Sequence, residues 1–246
     1  MDVCSAKVAI NAPLTHYSIA PHVSYCRTED GLVLMDLKRG KYFGLDEESA
    51  QMLDGFILST PGLRQRDLQL IRSADASRGL AESLVRQGIL DVTEFVADLT
   101  PPTVSAVDGS IPKRVSVRAH HIVRFLKATL YASYLLKNSS SYHIARRIRK
   151  RRTACRVFEG QDNLVRLIEL AGVFRLLRPL FYTAKDKCLF DSIAFIEFCA
   201  QYRLFPTWVV GVTTQPFLAH SWVQEKTAVL NDTAERARRY TPILAA

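Results

Sequence analysis

Apolar positions in the first hundred residues come in short alternating runs, and later in the chain they come in long runs at helical spacing. In "HVSYCRTEDGLVLMDLKRGKYFGLDEESAQML", residues 22–53, the runs "VSYCR" and "LVLMDL" flank "TEDG". Asp30-Gly31 is a strong hairpin signal between two such runs. Arg39-Gly40 makes a second tight turn into "KYFGL". Asp46 then stands as an N-cap, with Ala50, Leu53, Phe56 and Ile57 following at helical spacing. A second helix is predicted over "RQRDLQLIRSA", residues 64–74, and a third over "RGLAESLVRQ", residues 78–87, with Gly88 as its stop. "GILDV" then returns as a short strand.

Three strands, three helices and a final strand suggest a small winged helix-turn-helix fold. After it, "DLTPPTVSAVDGSIPK", residues 98–113, holds three prolines and a glycine without helical period, and reads as a linker. Beyond lie helices over "RAHHIVRFLKATLYASYLLK", "DNLVRLIELAGVFRLLRPLF" and "CLFDSIAFIEFCAQYR". "TWVVGVTT" reads as a strand and "HSWVQEKTAVLND" as a hairpin. The expected fold class is α+β, with domains over residues 1–100 and 116–246 joined by a linker over 101–115.

Charge supports that division. Residues 1–100 hold 10 Lys+Arg against 14 Asp+Glu, a balance of −4, while 101–246 hold 23 against 10, a balance of +13. Two units with different partners follow. The 246 residues, 48% apolar, are enough for real cores. The start reads as no targeting segment. The most apolar helical stretch, "LIELAGVFRLLRPLFY", is interrupted by Arg175, Arg178 and Pro179, so no membrane anchor is expected. Five scattered cysteines show no disulfide framework and fit a reducing cytosol.

Candidate chemistry lies near the C-terminus. If the last hairpin turns around Lys226, then His220 and Asp232 stand directly opposite on one face, with Cβ atoms about 4.5–5.5 Å apart. At that distance a carboxylate can hold one imidazole nitrogen and fix its tautomer. Trp222 shares the face and could wall the site. Cys188 sits in the first turn of its helix, with Asp186 as N-cap, where the helix N-terminus and a protonated His220 both favour the thiolate. Cys199 lies roughly 16 Å further along the axis, so the pair can share neither a metal nor a redox role, and no cofactor is called for. The arrangement reads as Cys188 nucleophile, His220 base and Asp232 orienter. Singly, such a cysteine is usually core and such a histidine usually structural.

Cysteine at a helix start, histidine on a following strand and aspartate on the next is the order of the transglutaminase-like (papain-like) cysteine peptidases. More closely, "CLFDSIAF", "GVTTQPFLAHSWVQ" and "VLND" resemble the lasso-peptide B proteins, leader peptidases of lasso-peptide biosynthesis. "EDGLVLMDLKRGKYFGLDEESAQML" and "LVRQGIL" resemble the leader-recognition element fused ahead of the peptidase, a relative of the PqqD-type peptide chaperones. Two departures stand out. Asp191 replaces the arginine of a C-L-x-R-S pattern and puts a carboxylate one turn from Cys188, where it would oppose the thiolate. Gln224 stands where glutamate is frequent.

The resemblance implies a ribosomally made precursor peptide as substrate, its leader held by the first domain. Cleavage before the core peptide would free an amine for a separate cyclase resembling asparagine synthetase. Leader binding by strand addition would use the groove between Lys41–Leu45 and Arg78–Gln87, lined by Tyr42, Phe43, Leu80, Leu84 and Arg86, although Leu80 and Leu84 also suit a core. A DNA-binding winged helix is disfavoured by the −4 balance and by a third helix that mixes Arg78, Glu82 and Arg86. The basic run "RRIRKRR", Arg146–Arg152, reads as a solvated face. Two alternatives remain: a peptide chaperone with a degenerate peptidase domain, and an acyltransferase that passes the acyl group to an amine.

Overall fold

The computed structural model describes residues 16–57, 75–93, 107–108, 115–155, 161–182 and 187–246. Contacts divide the chain into two compact units, residues 1–20 with 51–99, and residues 21–50 with 100–246. The sequence places all of residues 1–100 in one domain, whereas the contacts join 21–50 to the C-terminal unit. The reason is packing: Cys26, Val33, Met35 and Leu37 are buried in the same apolar core as the C-terminal helices.

In the first unit, β1 (His16–Ile19) pairs antiparallel with β5 (Leu90–Thr93), setting Ile19 against Leu90. The sequence pattern did not mark β1, a four-residue strand with little alternation. Here α2 (Asp75–Arg86) ends in a Schellman motif. Ile89 N–H donates to Leu84 C=O and Gly88 N–H to Val85 C=O, and the left-handed φ of 72° is carried by Gly88. The helix predicted over residues 64–74 lies outside the described residues.

In the second unit, β2 (Val23–Thr28), β3 (Gly31–Asp36) and β4 (Lys41–Leu45) form an antiparallel meander, close to the predicted runs. Gly31 is required at the first turn. Its φ is 129°, and a Cβ there would lie 2.2 Å from the Leu45 carbonyl oxygen. The second turn is closed by buried Asp36, which accepts from the N–H groups of Lys38 and Arg39. Asp46 caps α1 (Glu47–Ile57) by accepting from Ser49 N–H at 2.9 Å.

Four longer helices follow: α3 (Ala119–Asn138), α4 (Ser141–Cys155), α5 (Gln161–Leu177) and α6 (Cys188–Ala200). The α6 helix is buried from Asp191 to Cys199, and its two buried carboxylates, Asp191 and Glu197, are each paired with an arginine. A five-stranded sheet packs with it, in the order β10 (Thr241–Ala245), β7 (Thr207–Thr214), β8 (Phe217–Glu225), β9 (Ala228–Val229) and β6 (Val107–Asp108). Only β6, within the expected linker, runs parallel to its neighbour. The short helix α7 (Ala234–Ala237) precedes β10.

The basic run is part of α4 and is largely tied into the fold, not merely solvated. Arg151 pairs with Glu197 at 2.8 Å, Arg149 donates to the Ala245 carbonyl, and Arg152 donates to the Thr207 hydroxyl. The Arg147 guanidinium covers the Tyr131 ring. Ile144, Ala145 and Ile148 are buried on the core-facing side of the same helix. Among the described residues no helix is long and apolar enough to cross a membrane.

Candidate active site

The position of His220 follows from the β7–β8 ladder, which sets it opposite Gly211. The imidazole is 3% exposed and lies between two rings, Trp222 at 5.9 Å and Tyr240 at 4.9 Å between centroids. Trp222 is itself held by its indole N–H, which donates to Gln224 Oε1 at 2.7 Å. That gives the glutamine at 224 a local task.

Beside His220 the edge of β8 is open. On that side β9 pairs only with Gln224 and Glu225. Leu230 N–H still reaches Val223 C=O, and Val223 N–H is taken by the side chain of Asn231 at 2.7 Å. Backbone groups two residues apart point the same way along a strand, so Ser221 N–H faces this open edge as well. It hydrogen-bonds the sulfur of Cys188.

Asp232 reaches His220 by a route the predicted register does not contain. A turn centred on Lys226 would make the two residues direct partners. The observed pairs are Gln224 with Val229 and Glu225 with Ala228, one residue out of that register. Continued, this ladder would place Asp232 opposite Ser221, on the wrong face. The ladder instead stops at Val229. The segment that follows is released by the Asn231 side chain and turns Asp232 onto the imidazole, with Oδ2 at 2.5 Å from Nε2. Asp232 Oδ1 accepts from Thr233 N–H, and Arg236 lies 3.9 Å from Oδ2.

Cys188 is the first residue of α6. Its cap is Lys187, with no side-chain cap bond, and not the expected Asp186, which lies outside the described residues. The thiol is half-buried and hydrogen-bonds His220. With Nε2 engaged by Asp232, Nδ1 is the nitrogen left for the sulfur. Burial alone would raise the Cys188 pKa. The hydrogen bond with His220, the backbone groups of Ser221 and Leu189 and the imidazolium charge outweigh it and hold the thiol below its ordinary 9.0. Burial likewise works against a charged His220, but its bonds to Asp232 and Cys188 raise its pKa above 6.5. For Asp232 burial is overcome by His220, Thr233 N–H and Arg236, and its pKa falls. The other buried thiols behave oppositely: burial pushes Cys26 up to about 12 and Cys199 well above its usual value.

Asp191 does not oppose the thiolate as expected. Its carboxylate is 2% exposed and accepts from Arg178 at 3.1 Å, Tyr182 at 3.0 Å and Asn231 at 2.9 Å. Arg178, Tyr182, Asn231 and Tyr240 are site residues that the sequence reading missed. Only Asn231 left a signal, as the residue preceding Asp232 in "VLND".

A cavity of about 250 Å³ opens beside Cys188, lined among others by Met35, Gly40, Tyr42, Ser141 and Leu189. The β3–β4 hairpin therefore walls the site. Tyr42 packs against Phe217 with the rings tilted and their centroids 5.3 Å apart, and burial together with the nearby Cys188 pushes its phenol up to about 12. Phe43, the next residue, is half-buried. Of the other residues expected to bind a leader, Leu84 is buried, Leu80 half-buried and Arg86 exposed, all on α2 of the first unit. A larger cleft of about 520 Å³, bordered by Arg152, Arg166 and Arg203, also includes Tyr202 beyond the far end of α6. That is about 20 Å from Cys188 at the helix rise, so the smaller cavity is the one that concerns the thiol. Among the described residues no cluster of three or more histidine, cysteine or carboxylate side chains could hold a metal ion.

Nothing matches the chain among curated proteins or among solved structures. Residues 129–245 match the family model described as the Transglutaminase-like superfamily, a superfamily that includes cysteine peptidases. The chain therefore carries a transglutaminase-like domain over residues 129–245.

Proposed function

We propose that this chain is a cysteine peptidase that removes the leader from a ribosomally made lasso-peptide precursor. The observation that carries the reading is the contact of Cys188 with His220 and of His220 with Asp232. The Cys188 thiolate attacks the scissile carbonyl, forming a C–S bond. As the C–N bond breaks, imidazolium His220 gives its proton to the departing amine. Water then adds to the thioester, His220 takes its proton, and the leader leaves as a carboxylic acid, restoring the thiolate. Asp232 holds the imidazole tautomer and offsets the imidazolium charge.

The first unit and the β3–β4 hairpin complete the proposal. Tyr42 and Phe43 on β4 are the proposed leader contacts of the second unit, and Leu80, Leu84 and Arg86 on α2 those of the first. Because Tyr42 also borders the cavity at Cys188, β4 is suited to deliver an extended peptide to the thiol. The amine freed on the core peptide is then available to a separate cyclase resembling asparagine synthetase.

The test is incubation of the full chain with a proteome-derived peptide library, with new amino termini read by mass spectrometry. The expected result is a restricted set of cleavages, absent with Cys188→Ala and independent of added amine. Silence from the wild type would favour the peptide chaperone. Products that require an amine would favour acyl transfer.

A further inference from the structure

Asn231 uses every polar atom of its side chain and its carbonyl. Its amide nitrogen donates to Asp191 Oδ2 at 2.9 Å and lies 3.4 Å from Ser192 Oγ. Its Oδ1 accepts from Val223 N–H at 2.7 Å, and its carbonyl accepts from Arg178 at 3.3 Å. The residue is 6% exposed. Asp232 follows it immediately, in a segment with no ladder of its own.

We infer that Asp191 is a positioning residue, which clamps Asn231 and thereby fixes Asp232 against His220. The inference rests on the peptidase reading of Cys188, His220 and Asp232. Asp191 sits one turn along the helix that begins with Cys188, so one rigid element sets both the nucleophile and the orienter of its base. A misplacement of 1 Å in such a constellation can cost about 100-fold in rate.

The charge on Asp191 matters as well as its shape. A carboxylate accepts on both oxygens, and here Arg178 and Asn231 share Oδ2 while Tyr182 takes Oδ1. An amide at 191 removes the charge that faces Arg178, and its NH2 must either meet the Arg178 and Asn231 donors head-on or turn to Tyr182, whose hydroxyl proton then loses its acceptor. Besides these three, Ser192 Oγ lies near the Asn231 amide. Around the triad itself, Asp232 faces His220, Arg236 and the Thr233 N–H.

The test follows iodoacetamide alkylation of Cys188 in the full chain from pH 4 to 9, by peptide mass spectrometry. Asp191→Asn should move the acid limb of the Cys188 profile up by about one unit, a tenfold slowing at the foot of the limb. Asp232→Asn should move it the same way, and the double variant should be no slower than Asp232→Asn alone. Asn231→Ala should reproduce the shift and stands in if Asp191→Asn does not fold. As a control for merely structural effects, Glu197→Gln removes another buried carboxylate of α6, one paired with Arg151, and should leave the profile unchanged. A wild-type profile in Asp191→Asn, a full additional loss in the double variant, or an equal shift in Glu197→Gln would each overturn the inference. A wild-type Cys188 no faster than Cys155 would instead remove the peptidase reading, and the inference with it.

Discussion

Gly211 faces His220 directly across the β7–β8 ladder, and the glycine's missing side chain is what lets two rings close on the imidazole. A Cβ at Gly211 would lie 2.8 Å from Tyr240 Cβ and 2.9 Å from Trp222 Cη2. Those are the rings that border His220. Neither clash falls on the end of a flexible chain, so the rings or the sheet must shift. Gly211→Ala should cost about 1–3 kcal/mol, the usual range for overpacking a tight core. It should also slow Cys188 alkylation, because His220 moves with the rings. Urea unfolding and the alkylation rate measure the two effects separately. Unchanged stability would show that the rings have room to give.

The His220–Asp232 pair makes stability depend on pH in a defined window. Asp232 has a lowered pKa, so its contribution is present above the ordinary 3.8 and is lost as pH falls through the lowered value. His220 has a raised pKa, so its contribution is complete below the ordinary 6.5 and is lost as pH rises through the raised value. The pair therefore stabilises fully between 3.8 and 6.5. The difference in Tm between wild type and His220→Gln should be greatest in that window and shrink on both sides. A difference that grows toward alkaline pH would contradict the assignment.

Residues 21–50 should be indispensable to the C-terminal unit. A fragment beginning at residue 101 loses Cys26, Val33, Met35 and Leu37 from a continuous core. Burying a side chain of this kind contributes about 1.5–3 kcal/mol, and whole domains are stable by only about 5–15 kcal/mol. The fragment is expected to lack a cooperative thermal transition by near-UV circular dichroism, whereas the full chain shows one. A sharp transition in the fragment would show that the hairpin is an accessory.

Tyr42 should govern access to the thiol. Its ring lines the cavity beside Cys188 and is backed by Phe217. Tyr42→Ala should raise the rate at which N-ethylmaleimide, a bulky reagent, modifies Cys188 severalfold relative to iodoacetamide, a small one. An unchanged ratio would place the entrance elsewhere.

Local signals carried much of this structure. Alternation and turn chemistry located β2, β3 and β4, and Asp46 marked the start of α1 because a short acidic side chain before an apolar period is a cap. Long-range effects were not legible. Tyr42 and Phe43 read as strand residues, but nothing in their period says that Tyr42 borders Cys188. The α4 helix was missed because Ile144, Ala145 and Ile148 lie among arginines that look solvated until Glu197, Thr207 and Ala245 are brought beside them. The β6 and β10 strands are short and acquire meaning only from their neighbours in the sheet. Cys188, His220 and Asp232 stood out by residue type and order. The reason two of them meet was misread, since the turn after Val229 depends on Asn231 satisfying Val223 in place of a strand. Asp191 looked like an opposing charge because Arg178 and Tyr182, which absorb it, lie 13 and nine residues away in the chain.

The central claim is that Cys188 is an activated nucleophile, and competitive alkylation of the folded chain at pH 6.5 tests it most directly. Iodoacetamide is added in limiting amount and each cysteine is quantified by peptide mass spectrometry, with Cys26 and Cys199 as buried references. The account predicts that Cys188 is modified about tenfold or more faster than the other cysteines, because its thiol is held below the ordinary value while burial raises those of Cys26 and Cys199, and that His220→Ala abolishes the advantage. A Cys188 that reacts no faster than Cys155, or one whose rate survives the loss of His220, would contradict it.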